Sequence, residues 1–154
     1  MTLLLLIFLM LGGLPGESLG RDTRLMFAID AAMQQSAAKE KLNRGVKFYF
    51  GAQKHPTPAR QLGTYTSNRK SNAFGKSDLE ACQRAFLSAL ISLQDRALKE
   101  GGDAVINIRS YYKKNNVSST SQFECGAGNV IAGVALRGTV VKLSAKKPKK
   151  QDAY

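Results

Sequence analysis

One histidine, two cysteines and eleven acidic residues are all that this 154-residue chain offers to imidazole, thiol or carboxylate chemistry. His55 lies between Lys54 and Pro56 in a proline-rich stretch. A hydrolytic triad therefore has one candidate base, in a setting that suits an exposed side chain. Zinc sites take about four ligands, usually clustered in sequence pairs. No Cys-x-x-Cys occurs, and Cys82 and Cys125 are the only thiols. Neither a metal nor a cofactor is expected, and no complete catalytic constellation is present. Among the carboxylates, Glu80 reads as part of a helix cap, and Asp95 and Glu100 sit on a helix beside basic residues. The carboxylate pair of a cell-wall hydrolase, acting on glycosidic bonds, has no distinctive spacing here.

Long apolar runs are equally scarce. The single one is Leu3 to Leu11, ended by Gly12-Gly13-Leu14-Pro15-Gly16. A membrane-spanning helix needs about 20 apolar residues, so the run is too short to span. Ser18 and Gly20 suit signal peptidase, so residues 1–20 read as a signal peptide cleaved before Arg21. The mature form then has no transmembrane span and is periplasmic or secreted. No Lys or Arg precedes the run, which leaves an uncleaved anchor as the alternative. No cysteine near the cleavage site offers a lipid attachment point.

What the chain has in excess is positive charge. Lys and Arg number 23, for a formal net charge of +12. Such a surface attracts anionic partners. For an exported protein these are an envelope protein or an anionic envelope component such as lipopolysaccharide, and nucleic acid is a weaker expectation. In an oxidising compartment, two cysteines most simply pair. A Cys82–Cys125 bond would close a long loop, worth about 4 kcal/mol on the chain-entropy account.

Residues 21–143 read as one α+β domain, and 144–154 as a disordered basic tail around Lys146-Lys147-Pro148-Lys149-Lys150. Leu25 to Ile29 alternates as a short strand. Asp30 is a plausible cap for a helix over Ala31 to Leu42, with Gly45 beyond its end. Val46, Phe48 and Phe50 would share one face of a strand. Two prolines interrupt 54–58, a strand follows over 62–67, and the polar stretch 68–75 reads as loop. Ser77 and Glu80 form a capping box ahead of the strongest element, a helix from Asp78 to Glu100. Leu79, Cys82, Phe86, Leu90, Leu93 and Ala97 form its apolar stripe, and Gly101-Gly102 stops it. A strand follows over 103–112, with Ile106 and Ile108 expected on one side and Arg109 and Tyr111 on the other. Two glycine-rich strands close the domain, over 122–126 and 130–143. The expected fold is one long helix packed on a mainly antiparallel sheet of four or five strands, with a lesser N-terminal helix.

The run from Ala97 through Gly101-Gly102-Asp103-Ala104-Val105-Ile106 to Ile108, followed by Ile131 to Val140, resembles the helix–strand signature of the YbjQ/RcsF-like α+β proteins. The resemblance covers about residues 77–143. It implies that Cys82 and Cys125 match one of the helix–strand disulfides of the outer-membrane stress sensor of the Rcs system. The sensor's lipid-anchor cysteine and second disulfide have no counterpart here. Over the whole mature chain there is also a resemblance to small exported bacterial proteins often labelled excinuclease ATPase subunit. The residues do not form a phosphate loop: Gly75-Lys76-Ser77 opens a helix, but Lys70 stands where the first glycine belongs. Ser77 is then a helix cap, and ATPase activity is not expected.

The candidate binding surface is basic and aromatic: Arg109, Tyr111, Tyr112, Lys113 and Lys114 at the end of one strand, with Lys47 and Tyr49 on another. Basic residues interleaved with aromatics suit polyanions and protein hot spots alike. An ordinary half-exposed sheet face has the same composition. The expected function is non-enzymatic binding in the cell envelope. Polyanion binding and a small cell-wall hydrolase or inhibitor are the alternatives.

Overall fold

A computed structural model of the chain describes residues 20–145. The expected signal peptide (but for Gly20) and nearly all of the basic tail lie outside the described residues. In chain order the elements are β1 (Thr23–Ala28), α1 (Ile29–Met33), α2 (Ser36–Lys41), β2 (Lys47–Phe50), β3 (Pro58–Asn72), α3 (Asp78–Lys99), β4 (Ala104–Ser110), a 3-10 turn (Tyr112–Lys114), β5 (Gln122–Ala127) and β6 (Ile131–Leu143). The fold is α+β, with one long helix on a curled sheet that is antiparallel apart from the β2–β4 pair.

β6 organises the sheet. One of its edges pairs with β3 along its whole length. The other edge is shared: β5 takes Ala132 and Gly133, and β4 takes Leu136 to Val141. β1 then extends β5, and β2 extends β4. The sheet is therefore forked, with β6 as its stem.

α3 lies across the face carrying Ala132, Val134, Leu136 and Val140. Its stripe is Cys82, Phe86, Leu90, Leu93 and Ala97, all at most 1% exposed, widened by Ala81, Ala85 and Ala89. The alanines bring the helix backbone close to the sheet. Leu79 departs from the expected stripe: it lies in the first turn and is 46% exposed. The helix meets the sheet two residues later, where the Ser71 hydroxyl donates to the Ala81 carbonyl at 2.5 Å. Ser77 caps the helix, its Oγ accepting from the Glu80 N–H at 3.1 Å. The Glu80 carboxylate turns instead to Arg84, one helical turn on.

Cys82 and Cys125 are bonded, with Cα atoms 5.9 Å apart. The bond joins the start of α3 to β5. Phe86 and Phe123 stack beside it with centroids 4.2 Å apart. Val46, Phe48 and Phe50 all join this core, as their alternation suggests.

Three local expectations fail for definable reasons. The single helix over 31–42 is two short helices, because Gln35 is extended (φ −64°, ψ 143°). Its side-chain amide reaches Gln83 of α3, and the break lets Ile29, Ala32 and Ala38 all be buried. Asp30 lies inside the first turn of α1 rather than capping it. Residues 68–72 are strand, because β3 runs to Asn72 against β6. The polar side chains that hid this strand are satisfied locally: Arg69 donates to Ser92 of α3 at 2.9 Å, and the Thr64 and Thr139 hydroxyls meet at 2.9 Å. Finally, Ile106 and Ile108 face opposite sides. Asn107 adopts φ +50°, and the register with β6 shifts between Ile106 and Arg109. This is a β-bulge, which inserts one residue and inverts the alternation beyond it. Arg109 and Tyr111 thereby join the face of Ala104 and Ile106.

Candidate functional site: the open face of the sheet

Opposite α3 no described helix packs on the sheet, and side chains such as Tyr49, Leu143 and Tyr112 cover part of this face. Alternation along β3 places Thr64, Thr66, Asn68 and Lys70 on this face, all exposed. Along β6 it places Gly133, Ala135, Arg137, Thr139 and Val141 there. β4 adds Arg109, whose register partner is Arg137. Tyr111 follows at the end of that strand, its N–H donating to the Ala135 carbonyl at 2.8 Å.

Arg137 is the centre of this surface. Its guanidinium lies 5.3 Å from the centroid of the Tyr111 ring and donates to the Thr66 hydroxyl at 2.8 Å. A ring face beneath and a hydroxyl beside it hold the group by cation–π attraction and hydrogen bonding. Arg109 donates to the Asn107 carbonyl at 3.2 Å. Among the described residues neither arginine has a carboxylate within ion-pair distance. Each keeps donors free for an anion, in the planar arrangement that suits phosphate and carboxylate oxygens.

The residues singled out in the sequence fall into separate places on this face. Tyr49 is packed on Ala104, Ile106 and Val141, with its ring 5.5 Å from His55. Lys47 is exposed beside it. Lys47 pairs with Ala104, so it lies about 16 Å from Arg109 along the strands. Lys47 therefore lies apart from Arg109 on this face. Tyr111 and Arg109 lie on the same face at the end of β4, and the ring of Tyr111 meets Arg137. Lys114 is exposed, with φ +62°.

Tyr112 has a different task. Its ring lies over Gly126 and Gly133, which are register partners on β5 and β6, and any side chain at Gly126 would overlap it. Its hydroxyl donates to Asp22 at 2.9 Å, Arg24 lies 5.8 Å from its centroid, and Lys113 pairs with the same carboxylate. Burial, then donation to Asp22, push the phenol up to about 12. The Lys113 ammonium, then the Tyr112 hydroxyl, hold the Asp22 carboxyl below the ordinary carboxylate range. Tyr112 and Lys113 thus fasten the start of the described chain over the fork of the sheet.

Glu124 is a buried carboxylate on the same face, 6% exposed. Its Oε2 accepts from Asn115 at 3.5 Å, while Oε1 has no hydrogen-bond partner and only Arg24, 3.9 Å away, beside it. Arg137, Thr66, Asp22 and Glu124 were not singled out in the sequence. Arg137 had a visible signal, since Gly133, Ala135, Arg137 and Thr139 alternate against Val134, Leu136 and Val140. Asp22 and Glu124 had none, because their roles depend on pairing across strands remote in sequence.

No family model, curated protein or solved structure matches this chain. No described helix is long and apolar enough to cross a membrane.

Proposed function

We propose that this is an exported, non-enzymatic protein of the cell envelope that works by binding, and that its ligand is an anionic component met by the open sheet face. The observation that carries this reading is the pair Arg109 and Arg137. They are register partners on the face opposite α3, without acidic partners among the described residues, and Arg137 stands by the Tyr111 ring and the Thr66 hydroxyl. A sheet edge or face normally disperses like charges. Here two arginines stand opposite each other in register in a protein of formal net charge +12, which favours an anionic ligand near them. The apolar leader and the cysteine pair support export, since disulfides persist in oxidising compartments.

Titration with lipopolysaccharide and with a single-stranded oligonucleotide at several salt concentrations tests the reading. Affinity should fall as salt rises, and Arg109→Gln and Arg137→Gln should each lower the salt slope by about one. Binding that is insensitive to salt and to both substitutions would overturn it. A Lys47→Gln variant, altered at the far end of the face, should leave the slope nearly unchanged.

A further inference from the structure

Five large apolar side chains stand exposed among the described residues: Met26, Phe74, Leu79, Val130 and Ile131. Three of them gather at one end of the molecule. Phe74, 74% exposed, lies in the turn between β3 and α3, Val130, 60% exposed, in the turn between β5 and β6, and Ile131, 52% exposed, at the first position of β6. Together with Lys70 and Asn72 they line a single shallow cleft.

The tip is built rather than loose. The Ala73 N–H donates to the Val130 carbonyl at 2.7 Å and joins the two turns. The Phe74 N–H is held by the Asn72 side chain at 2.9 Å, and Gly75 provides a positive φ of +69° for the turn. The ring is therefore presented outward by a hydrogen-bonded frame.

Two further observations say what meets it. The chain enters the domain at this same end: Gly20 and Arg21 share the neighbouring cleft with Val130 and Ile131. Arg21 is fixed there by Asp78 at 2.5 Å and by Asn129 at 2.9 Å. The apolar run Leu3 to Leu11 ends nine residues before Gly20, a span of at most about 32 Å. Second, the charge around the tip is positive. Lys70 lines the cleft, Lys76 follows Phe74 by two residues, and neither has an acidic partner among the described residues. The nearby Asp78 is committed to Arg21.

We infer that this tip docks on an anionic lipid bilayer, with Phe74, Val130 and Ile131 entering the interface and Lys70 and Lys76 meeting the headgroups. Exposed aromatic and aliphatic side chains flanked by cations are the composition of an interfacial anchor. A retained leader would enter the membrane where the tip points. A processed chain would instead place its new positively charged terminus there. A second copy docked symmetrically would oppose Lys70 and Lys76 to their own counterparts. The inference does not use Arg109 or Arg137 and stands apart from the reading of the sheet face.

The chain contains no tryptophan, so one introduced indole reports its own surroundings. Phe74→Trp and Ile131→Trp test the tip. His55→Trp, before the opposite end of β3, is the reference. Each is added to vesicles of phosphatidylcholine with phosphatidylglycerol, and to phosphatidylcholine alone. On the anionic vesicles the emission at 74 and 131 should shift to the blue and be quenched by acyl-brominated lipid, while that at 55 stays unchanged. Lys70→Gln with Lys76→Gln should weaken partitioning by about thirtyfold. Unchanged emission at 74 and 131, or an equal response at 55, would overturn the inference. So would a blue emission before vesicles are added: if independent of concentration it means that residues 1–19 cover the tip, and if it grows with concentration, a second copy does.

Discussion

The Tyr112 hydroxyl donates to the Asp22 carboxylate across 2.9 Å, between residues 90 positions apart in sequence. Burial, and after it this bond, give Tyr112 a titration of its own. Its phenol is raised from 10.0 to about 12, so the stability it contributes is whole below pH 10 and is lost as pH rises through about 12. Wild-type stability should decline over that window more steeply than that of Tyr112→Phe, which has no proton there to lose. Below pH 10 the variant should be weaker by about 1 kcal/mol. Denaturant unfolding at stepped pH, with tyrosinate absorbance followed in parallel, measures both.

Acid should loosen different contacts. The Asp22 and Asp78 carboxyls are lowered chiefly by hydrogen bonds from Lys113 and from Arg21. For Asp103 burial acts upward, but the Leu143 N–H and Lys142 outweigh it and the carboxyl is lowered too. Each contributes in full above the ordinary value of 3.8, and its share goes as pH falls through the lower folded value. Urea midpoints taken down to acid pH should fall less steeply for Asp103→Asn than for wild type.

Two glycines should resist substitution for different reasons. An added Cβ at Gly138 would stand 2.6 Å from Val105 Cγ1 and 3.1 Å from Ile108 Cγ1, in the packed layer beneath α3. Gly138→Ala should cost about 2 kcal/mol. At Gly126 the obstacle is the Tyr112 ring alone among near neighbours. Gly126→Ala should therefore be costly in the wild type and nearly free in Tyr112→Ala, a coupling that a double-mutant cycle reads directly.

Reducing the Cys82–Cys125 bond should lower stability by about 2–4 kcal/mol while leaving the native circular dichroism intact at low temperature. The bond lies inside a packed core of Phe86 and Phe123, so it reinforces packing that exists without it. Loss of the folded spectrum on reduction alone would show that the core depends on the crosslink.

The long helix, its cap, its stop and the glycine-rich closing strands were legible because periodicity and capping are local signals. Cys82 and Cys125 were legible as a pair by simple arithmetic. β3 was obscured because it is an edge strand whose inner face, at Ser67, Arg69 and Ser71, is polar rather than apolar, with Arg69 and Ser71 hydrogen-bonded to the helix. The Asn107 bulge was invisible because a phase inversion appears only against a partner strand. Gln94 was hidden for a similar reason: fully buried, it reads as a surface residue, yet its amide donates to the Lys41 carbonyl at 3.0 Å and ties α2 to α3. On the candidate site, residue type was informative and placement was not. Arg109 and Tyr111 lie on one face of the sheet, Lys47 lies some way along it, and Tyr112 packs over Gly126 and Gly133.

The forked sheet also imposes an order of assembly. Until residues 131–143 are available, a chain emerging from its N-terminus can hold only two unconnected ribbons, β1 with β5 and β2 with β4. During that interval α3 lacks Ala132, Val134, Leu136 and Val140 beneath it, so Leu90 and Leu93 face water or whatever protects them while Phe86 can meet only Phe50 and Phe123. Closure then joins three strands and the helix in one event, late and cooperative, as expected where most contacts are distant in sequence. A fragment ending before Ile131 should thus behave as a chaperone client rather than as a smaller folded domain.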